Sequence, residues 1–450
     1  MTEQRNATAL AALQDRFAII DLTGEIRVID LLQVSQLLAG TGHRELALYK
    51  RSEAQVLMRR HLEGLPVPCS KPAETLAEFW VSPRTTMYKD IAFTPIQAPA
   101  STLNLWTGPL TEVQAGNWVI LRDFVRDVIC AGNQETYDHL IKHLAHMIKR
   151  PEEKPGVLIT LLGGQGTGKG VFFRMLRAIW PMTTLLVSDV DQVIGRFNAC
   201  LERNFVICMD EALFSGDRRA LDRLKSVVTE PRLQIEQKYQ PMRSIESVHR
   251  FFAASNHDHF AHVERDDRRF YFLRVSNERQ QDTVYLDQIV TAIKDPRTIG
   301  ALVYYLKRKD LSSFNPRAKP KTVEHLAQKL KSLQGFERYW FEVLSAGDFS
   351  GRDDTTQPLH GWNTPTFMPT GLLLELYKEF NKNAQRYQTV QSADVVDAVI
   401  RLCKSAQADR QVYKPSYGAT GGQRRGLSLP DLATARQEFE VAMGGEVNWC

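Results

Sequence analysis

The chain is expected to be an α/β protein built on a central parallel sheet, because short apolar runs alternate with helical patterns between residues 151 and 280. One of those runs, 157–162, leads straight into Gly163-Gly164-Gln165-Gly166-Thr167-Gly168-Lys169-Gly170 and then into the apolar stretch 171–176. A mixed helical and stranded region precedes this core. A helical region ending in a basic hairpin pattern follows it.

Buried strand, glycine-rich turn and helix start come in the order that a nucleotide phosphate needs. Backbone N–H groups of the turn can converge on a polyphosphate, and the helix N-terminus adds its positive dipole. Lys169 supplies a point charge that reaches the terminal phosphates. The bland alternative is a strand–helix turn with no ligand, which the full G-x-x-x-x-G-K spacing disfavours. One position departs from the pattern. The residue after the lysine is usually Ser or Thr, whose hydroxyl ligates Mg²⁺, and here it is Gly170. Either the metal is held through waters fixed by a carboxylate further along, or hydrolysis is weak.

A length of 450 residues suggests two to four domains. Apolar content of 43% and charged content of 24% are those of an ordinary globular protein. The formal charge of +5 permits nucleic-acid binding without arguing for it, since a localised patch matters more than the sum. No signal-type segment or membrane-length apolar run is present, so a cytoplasmic location, in a bacterial host cell, is expected. Six scattered cysteines without a C-x-x-C pair indicate neither a disulfide framework nor a zinc cluster.

Along the chain, residues 1–100 read as a small mixed α+β module. Within it, 17–20 and 26–29 flank a polar turn as a hairpin would. Residues 101–150 turn helical, with Trp118, Leu121, Phe124, Val125, Val128 and Ile129 recurring at three- and four-residue intervals. Pro151 and Pro155 end that helical collar and deliver the chain to the core at 151–280. A charged helical stretch, read as a linker, spans 281–335. The segment 336–450 shows two helices near 369–385 and 391–406 and then two basic strands, the pattern of a winged-helix module.

Three further strand ends carry chemistry. The apolar run 204–209 ends in Asp210-Glu211, adjacent carboxylates at the carboxyl edge of the sheet beside the glycine turn. Asp210 can hold the Mg²⁺ shell, through water, and Glu211 can polarise an attacking water. The run 251–255 ends in Asn256, whose amide can orient water or sense a phosphate; alone, it would be a turn former. Arg268-Arg269 then enters the aromatic run 270–273. Such a pair suits an arginine finger reaching across a subunit interface, Arg269 being favoured over Arg268, unless it merely pairs with Asp266 or Asp267. Between Glu211 and the run 251–255, alternation about Tyr239-Gln240-Pro241 suggests an inserted β-hairpin. Lys238 and Tyr239 at its tip offer a phosphate contact and a base-stacking face.

This series resembles the superfamily 3, AAA+-type helicase-like ATPase domain of phage and plasmid primase–helicase and primase–polymerase replication proteins, poxvirus-type proteins included. The resemblance rests on GGQGTGKGVFFRML (163–176), GRFNACLERNFVICMDEALFSGD (195–217), LKSVVTEPRLQIEQKY (224–239), FFAASN (251–256) and DDRRFYFLRV (266–275). It covers about residues 90–280, and glycine after the loop lysine is familiar in the group. The resemblance implies ATP and Mg²⁺ as ligands, Lys169 on the β/γ-phosphates and Asp210 organising the metal. It implies Glu211 activating water, Asn256 sensing phosphate, and Arg268 or Arg269 acting in trans. A homo-oligomeric ring, commonly hexameric, would then track single-stranded DNA with Lys238. The family's primase half is not recognised in this sequence, so a separate primase or polymerase is expected. Asp189 and Asp191, the one Asp-x-Asp pair, read as a helix cap and a solvated face.

The basic strands bearing Arg410, Lys414, Arg424 and Arg425 would contact fork or origin duplex if they form a wing, or would be a solvated loop. Two functions from different classes follow. One is an ATP-driven DNA helicase or translocase; the other is an ATP-switched DNA-binding scaffold that assembles without unwinding, a reading Gly170 keeps open. An RNA-directed or defence ATPase would use the same motor residues.

Overall fold

The protein is described from a computed structural model. It covers residues 2–22, 24–41, 46–211, 218–236, 242–257, 260–261, 267–350, 362–382, 391–413 and 421–449. Contacts group the chain into two compact units, one formed mainly by residues 1–320 and the other mainly by 321–450.

The first unit opens with a helix that the sequence reading did not identify, α1 (Thr2–Arg16). It leads into the expected hairpin, β1 (Phe17–Leu22) and β2 (Glu25–Asp30), paired antiparallel from Phe17↔Asp30 to Leu22↔Glu25. Asp30 then caps α2 (Leu31–Ala39) by accepting the Leu32 amide. Next come α3 (Arg51–Glu63) and α4 (Pro72–Val81), the latter with proline in its first turn, where a missing N–H costs nothing. Three short strands follow: β3 (Met87–Tyr88), parallel to β1, then β4 (Asp90–Ala92) and β5 (Thr102–Asn104), paired parallel.

The expected helical collar is interrupted. Helix α5 (Val119–Asp123) runs into a π-helical stretch over Phe124–Ile129, followed by α6 (Gln134–Lys149), which Asn133 caps. Wide turns of this kind are frequent at functional sites. The core then forms from β6 (Leu158–Leu162), α7 (Lys169–Ile179), β7 (Thr184–Val187), α8 (Asp191–Ile194) and β8 (Val206–Met209). Helix α9 (Arg218–Thr229), the hairpin β9 (Arg232–Ile235) and β10 (Arg243–Glu246), β11 (Arg250–Ser255) and β12 (Phe270–Arg274) complete it.

Five of these strands make one parallel sheet in the order β12-β6-β11-β8-β7. Every residue of β6 is buried, which explains its unbroken apolar run: a strand covered on both faces has no polar side to show. Helices α10 (Thr283–Lys294) and α11 (Pro296–Arg308) bury Ile289, Ile299, Leu302 and Leu306 in the same core as the sheet. Each such side chain contributes roughly 1.5–3 kcal/mol of transfer free energy. Arg250 is fully buried, and its guanidinium donates to the carbonyls of Arg150 (3.1 Å), Pro151 (3.2 Å) and Glu153 (2.8 Å). That grip fixes the turn delivering the chain to β6.

The second unit contains α12 (Val323–Ser332), α13 (Gly335–Ala346), β13 (Thr366–Pro369), α14 (Thr370–Phe380) and α15 (Ser392–Leu402). It ends with β14 (Gln407–Tyr413), β15 (Gly422–Leu429) and α16 (Leu432–Met443). Its sheet has the order β13-β15-β14, all antiparallel. Trp362 anchors the core, ring against Phe349 at 4.9 Å and indole N–H on the Pro430 carbonyl at 2.9 Å. A side chain at Gly426 would strike the Met368 carbonyl and the Phe367 ring, so only glycine lets β13 approach β15 there.

Four buried histidines predict how the fold responds to acid. His139 and His143 lie on α6, His249 just before β11, and His146 at the end of the α6 face. Burial pushes His139 and His249 down to about 4, with Lys142 and Lys319 beside the first and Lys154 and Arg250 beside the second. Burial also holds His143 well below its usual range, next to Arg250 and the two neighbouring histidines. A folded value below the unfolded one means that only the unfolded chain takes up protons between pH 6.5 and 4. Stability should therefore fall as pH drops through that window, by about 1.4 kcal/mol per pH unit for each such histidine. Urea midpoints at pH 7.5, 6.5, 5.5 and 4.5 should decline only below 6.5; a flat profile would contradict the neutral burial of these rings.

Candidate functional site

Because β6 pairs in parallel register with β11 on one side and β12 on the other, their carboxyl ends are level: Ser255 faces Leu162, and Leu162 faces Arg274. The glycine loop leaves β6 at that edge. Its first amide, on Gly163, donates to the Ser255 carbonyl at 3.3 Å, and Thr167 Oγ1 donates to the Gly164 carbonyl at 2.9 Å. Gly168 has φ +100°, a region closed to most side chains, and a Cβ there would meet the Phe124 and Leu286 side chains at 3.1 and 3.3 Å. Phe124 opens the π-helical stretch and Leu286 belongs to α10, so both packing helices press the loop from behind.

Lys169 is the first residue of α7 and only 7% exposed. Its ammonium donates to the carbonyls of Gly163 (2.7 Å) and Gly164 (2.6 Å) and to Asn256 Oδ1 (2.8 Å). Burial lowers the lysine's pKa, and the nearby carboxylates of Asp210 and Glu211 act against that shift. A charge held this way is easily transferred: an incoming phosphate offers an anion where the loop offers only carbonyl dipoles.

Asp210 and Glu211 follow β8 and are both exposed. The Asp210 amide donates to the Val187 carbonyl at 2.8 Å, which fixes the strand end, and Asp210 Oδ1 accepts the Glu211 amide at 3.1 Å. Glu211 sits at φ +55°, a left-handed conformation that costs a non-glycine residue about 1–2 kcal/mol. Strain of this kind at a strand end aims a side chain that a relaxed backbone would not.

The loop, Asp210, Glu211 and Asn256 border one cleft of about 240 Å³. Four groups from three strand ends, far apart in the chain, are thereby brought together. The cleft also draws on residues that the sequence reading missed. Arg174 lines it from α7, and its only signal was a charge interrupting the apolar run 171–176. Gln280 donates from its side chain to the Gln165 carbonyl at 3.0 Å, and the Gln281 amide donates to the Gly166 carbonyl at 3.0 Å. These two glutamines clamp the loop from the segment after β12; no local pattern marks them.

Arg268 and Arg269 are not brought to this cleft. The Arg269 carbonyl accepts the Leu158 amide at 2.8 Å, which places the pair at the amino edge of the sheet. The glycine loop lies at the opposite edge, about 15 Å away along the strands. Asp189 accepts the Asp191 amide at 3.0 Å in the turn before α8, whose N-cap is Val190, without a side-chain capping bond.

The arms β9 and β10 of the inserted hairpin pair antiparallel, Ile235↔Arg243 to Arg232↔Glu246. Asn198 holds the tip-side end of β9, donating to the Gln234 carbonyl and accepting the Glu236 amide, both at 3.0 Å. Lys238 and Tyr239, expected at its tip from sequence, lie outside the described residues, as does Lys414. On the other basic hairpin, Arg410 stands directly opposite Arg425, and Arg424 opposite Gln411, all exposed. Like charges facing each other across strands are destabilising unless an anion lies between them.

Comparison with known proteins gives three findings. Residues 161–269, from the glycine loop through Arg269, match a family of unknown function (DUF5906). Over 134 residues the chain is 28% identical to a DNA primase-polymerase of Nitratiruptor phage NrS-1, a match covering 28% of this chain and 18% of that relative. The fold is similar to solved structures of the NrS-1 C-terminal region. One apo structure superposes with a TM-score of 0.64 at 14% identity, covering 95% of this chain and 100% of the other. An A form apo structure gives 0.61 at 13% identity, covering 95% and 99%.

Proposed function

We propose that this chain is an AAA+-type, superfamily 3-like P-loop ATPase that acts in phage DNA replication as a DNA helicase or translocase. The observation that carries the reading is the junction of Lys169 with Asn256 at one sheet edge, with Asp210 and Glu211 bordering the same cleft. Similarity to a phage DNA primase-polymerase supports the replication setting. ATP would be the substrate. Lys169 would exchange its loop carbonyls for the β/γ-phosphates, and the loop amides would cradle the chain of phosphates. Glu211 would accept the proton of the attacking water, while Asn256 holds that water or reads the phosphate beside it.

Among the described residues no group of three metal-ligating side chains occurs. A Mg²⁺ ion at Asp210 would therefore take most of its shell from water and phosphate oxygens, as this ion commonly does, and would neutralise phosphate charge there. Arg269, at the far edge of its own sheet, suits service to a neighbouring subunit's cleft, which is the argument for a ring, hexameric by resemblance. Single-stranded DNA would be tracked by the hairpin tip. The exposed Arg410, Arg424 and Arg425 of the second unit, read as a winged helix from its strand and helix order, would hold duplex phosphates at a fork or origin. Priming would fall to a separate primase or polymerase. No helix among the described residues is long and apolar enough to cross a membrane, and the host cytoplasm is the proposed location.

A second reading, an ATP-switched scaffold that assembles on DNA without unwinding it, is favoured by Gly170. Steady-state ATPase with and without single-stranded DNA separates the two. A ring motor should show DNA-stimulated turnover, lost in Lys169→Ala and in Arg269→Ala and partly restored on mixing them, because mixed rings contain some intact interfaces. ATP binding without turnover under any DNA condition would reject the motor and leave the scaffold.

The chain has room to correct its own departure from the loop pattern. Nothing lies within 4 Å of a Cβ built on Gly170, which is exposed in the first turn of α7. Gly170→Ser should fold as stably as the parent or slightly more so, since serine suits a helix better by a few tenths of a kcal/mol. It should lower the Mg²⁺ concentration for half-maximal turnover severalfold. An unchanged Mg²⁺ titration would show that position 170 does not face the metal.

A further inference from the structure

The first unit holds a hollow larger than the loop cleft. It measures about 660 Å³ and lies between the start of α5, the middle of α6 and the end of α11 with the turn after it. It shares no lining residue with the loop cleft. We propose that this groove binds single-stranded nucleic acid, taking a base against its tyrosines and phosphates on its cationic rim, at a place separate from either basic hairpin.

The wall is aromatic. Trp118 and Tyr305 pack with ring centroids 4.8 Å apart, and Tyr304 stands beside them on α11. Trp118 is nearly buried and serves as backing, whereas both tyrosines are partly exposed and present the surface a base can meet. Each tyrosine is associated with a cation at the rim. The Arg308 guanidinium lies over Tyr304 at 5.4 Å, and the Lys309 ammonium lies over Tyr305 at 5.5 Å while donating to its hydroxyl at 3.3 Å. Lys142 of α6 closes the opposite side. None of these three cations forms an ion pair among the described residues.

The groove's own carboxylate does not neutralise them. Asp310 is engaged by its own turn, accepting the Ser312 amide and hydroxyl at 2.9 Å each, and those bonds together hold its carboxyl below the usual range. Three cations against one committed carboxylate, around partly exposed aromatic surface, is the combination that single strands recognise: a charged track with π-faces beside it. A second hollow of about 430 Å³ shares Lys142 and Ser313 with the first and runs on toward Phe314. The trough is thus longer than one nucleotide pocket, which favours a strand over a free mononucleotide. Glu135 and Asp138 border that second hollow, so phosphate contacts belong to the first.

The test uses the full chain without ATP, so it stands whether or not the nucleotide reading holds. Fluorescence anisotropy would follow a labelled oligo-thymidine of roughly 20 nucleotides, longer than the ~4–16 that one groove covers. Arg308→Glu combined with Lys309→Glu should weaken binding at least tenfold and reduce the salt dependence by about 1.4 in log–log slope, the equivalent of two phosphates. Tyr304→Ala should weaken it severalfold. Lys307→Glu, at an exposed position outside the groove, makes half the charge change of the double variant and should cost well under half of its loss in log affinity. Photocrosslinking with 5-iododeoxyuridine in the oligonucleotide should label Tyr304 or Tyr305.

Circular dichroism melts of each variant separate lost contact from lost fold, and the crosslink on the unaltered chain needs no variant at all. Equal loss in Lys307→Glu and the groove variants, with no crosslink on α11, would overturn the proposal. Full displacement of the oligonucleotide by thymidine monophosphate at comparable concentration would reassign the groove to mononucleotides. Dissociation of an oligomer in the groove variants, with DNA affinity of the remaining subunits intact, would reassign it to a contact between copies of the chain.

Discussion

The structure depends on the register of one buried strand. β6 is hydrogen-bonded in parallel to β11 and β12 over its whole length, and β11 in turn to β8. Parallel register levels the carboxyl ends of these strands, so whatever follows each of them arrives at the same edge. That is why a lysine after β6, a carboxylate pair after β8 and an asparagine after β11 border one small cleft. It is also why the arginines preceding β12 cannot join them. A one-residue slip would send the side chains of β6 to the opposite face, and burial on both faces supplies the apolar contacts that resist it.

Electrostatics then sets how the cleft behaves. The Lys169 ammonium is poorly solvated, and four neutral oxygens, the most distant being Thr167 Oγ1 at 3.5 Å, replace its water. Neutral oxygens compensate a buried charge less well than an anion does, so in the proposed reading a phosphate would displace them from the ammonium. The glutamine clamp and the Phe124 and Leu286 side chains limit where the loop can go when those bonds are exchanged. The left-handed Glu211 adds a second pre-set direction. In the proposed reading these features hold the reacting groups in place before substrate arrives, which is where most catalytic advantage of such sites originates.

Much of this was legible in the chain. The hairpin of β1 and β2, the alternation of strands and helices in the core, the arms of the inserted hairpin and the two basic strands near the C-terminus follow from period-two and period-three-to-four patterns. So do the three strand ends, because a polar residue closing an apolar run is a local signal. What was not legible depends on tertiary packing. Helix α1 has mostly polar residues and a weak apolar face, so its period is faint. The π-helical turn at Phe124 keeps the same apolar intervals as an ordinary helix would. Helices α10 and α11, read as a charged linker, bury one apolar stripe in the core of the first unit, which charge counting hides. Gln280, Gln281 and Arg174 are ordinary surface residues until the fold places them on the loop. Lys238, Tyr239 and Lys414 fall outside the described residues, so their roles rest on sequence alone.

The central claim is that the glycine loop and its lysine form a nucleotide-phosphate site. Isothermal titration of the full chain with a slowly hydrolysed ATP analogue and Mg²⁺ tests it most directly, with Lys169→Ala beside the parent and a thermal melt of each. The account predicts one nucleotide per chain for the parent and at least a tenfold loss of affinity in Lys169→Ala, with the melt largely retained. Equal affinity in the two folded proteins would place any nucleotide site elsewhere and contradict the account.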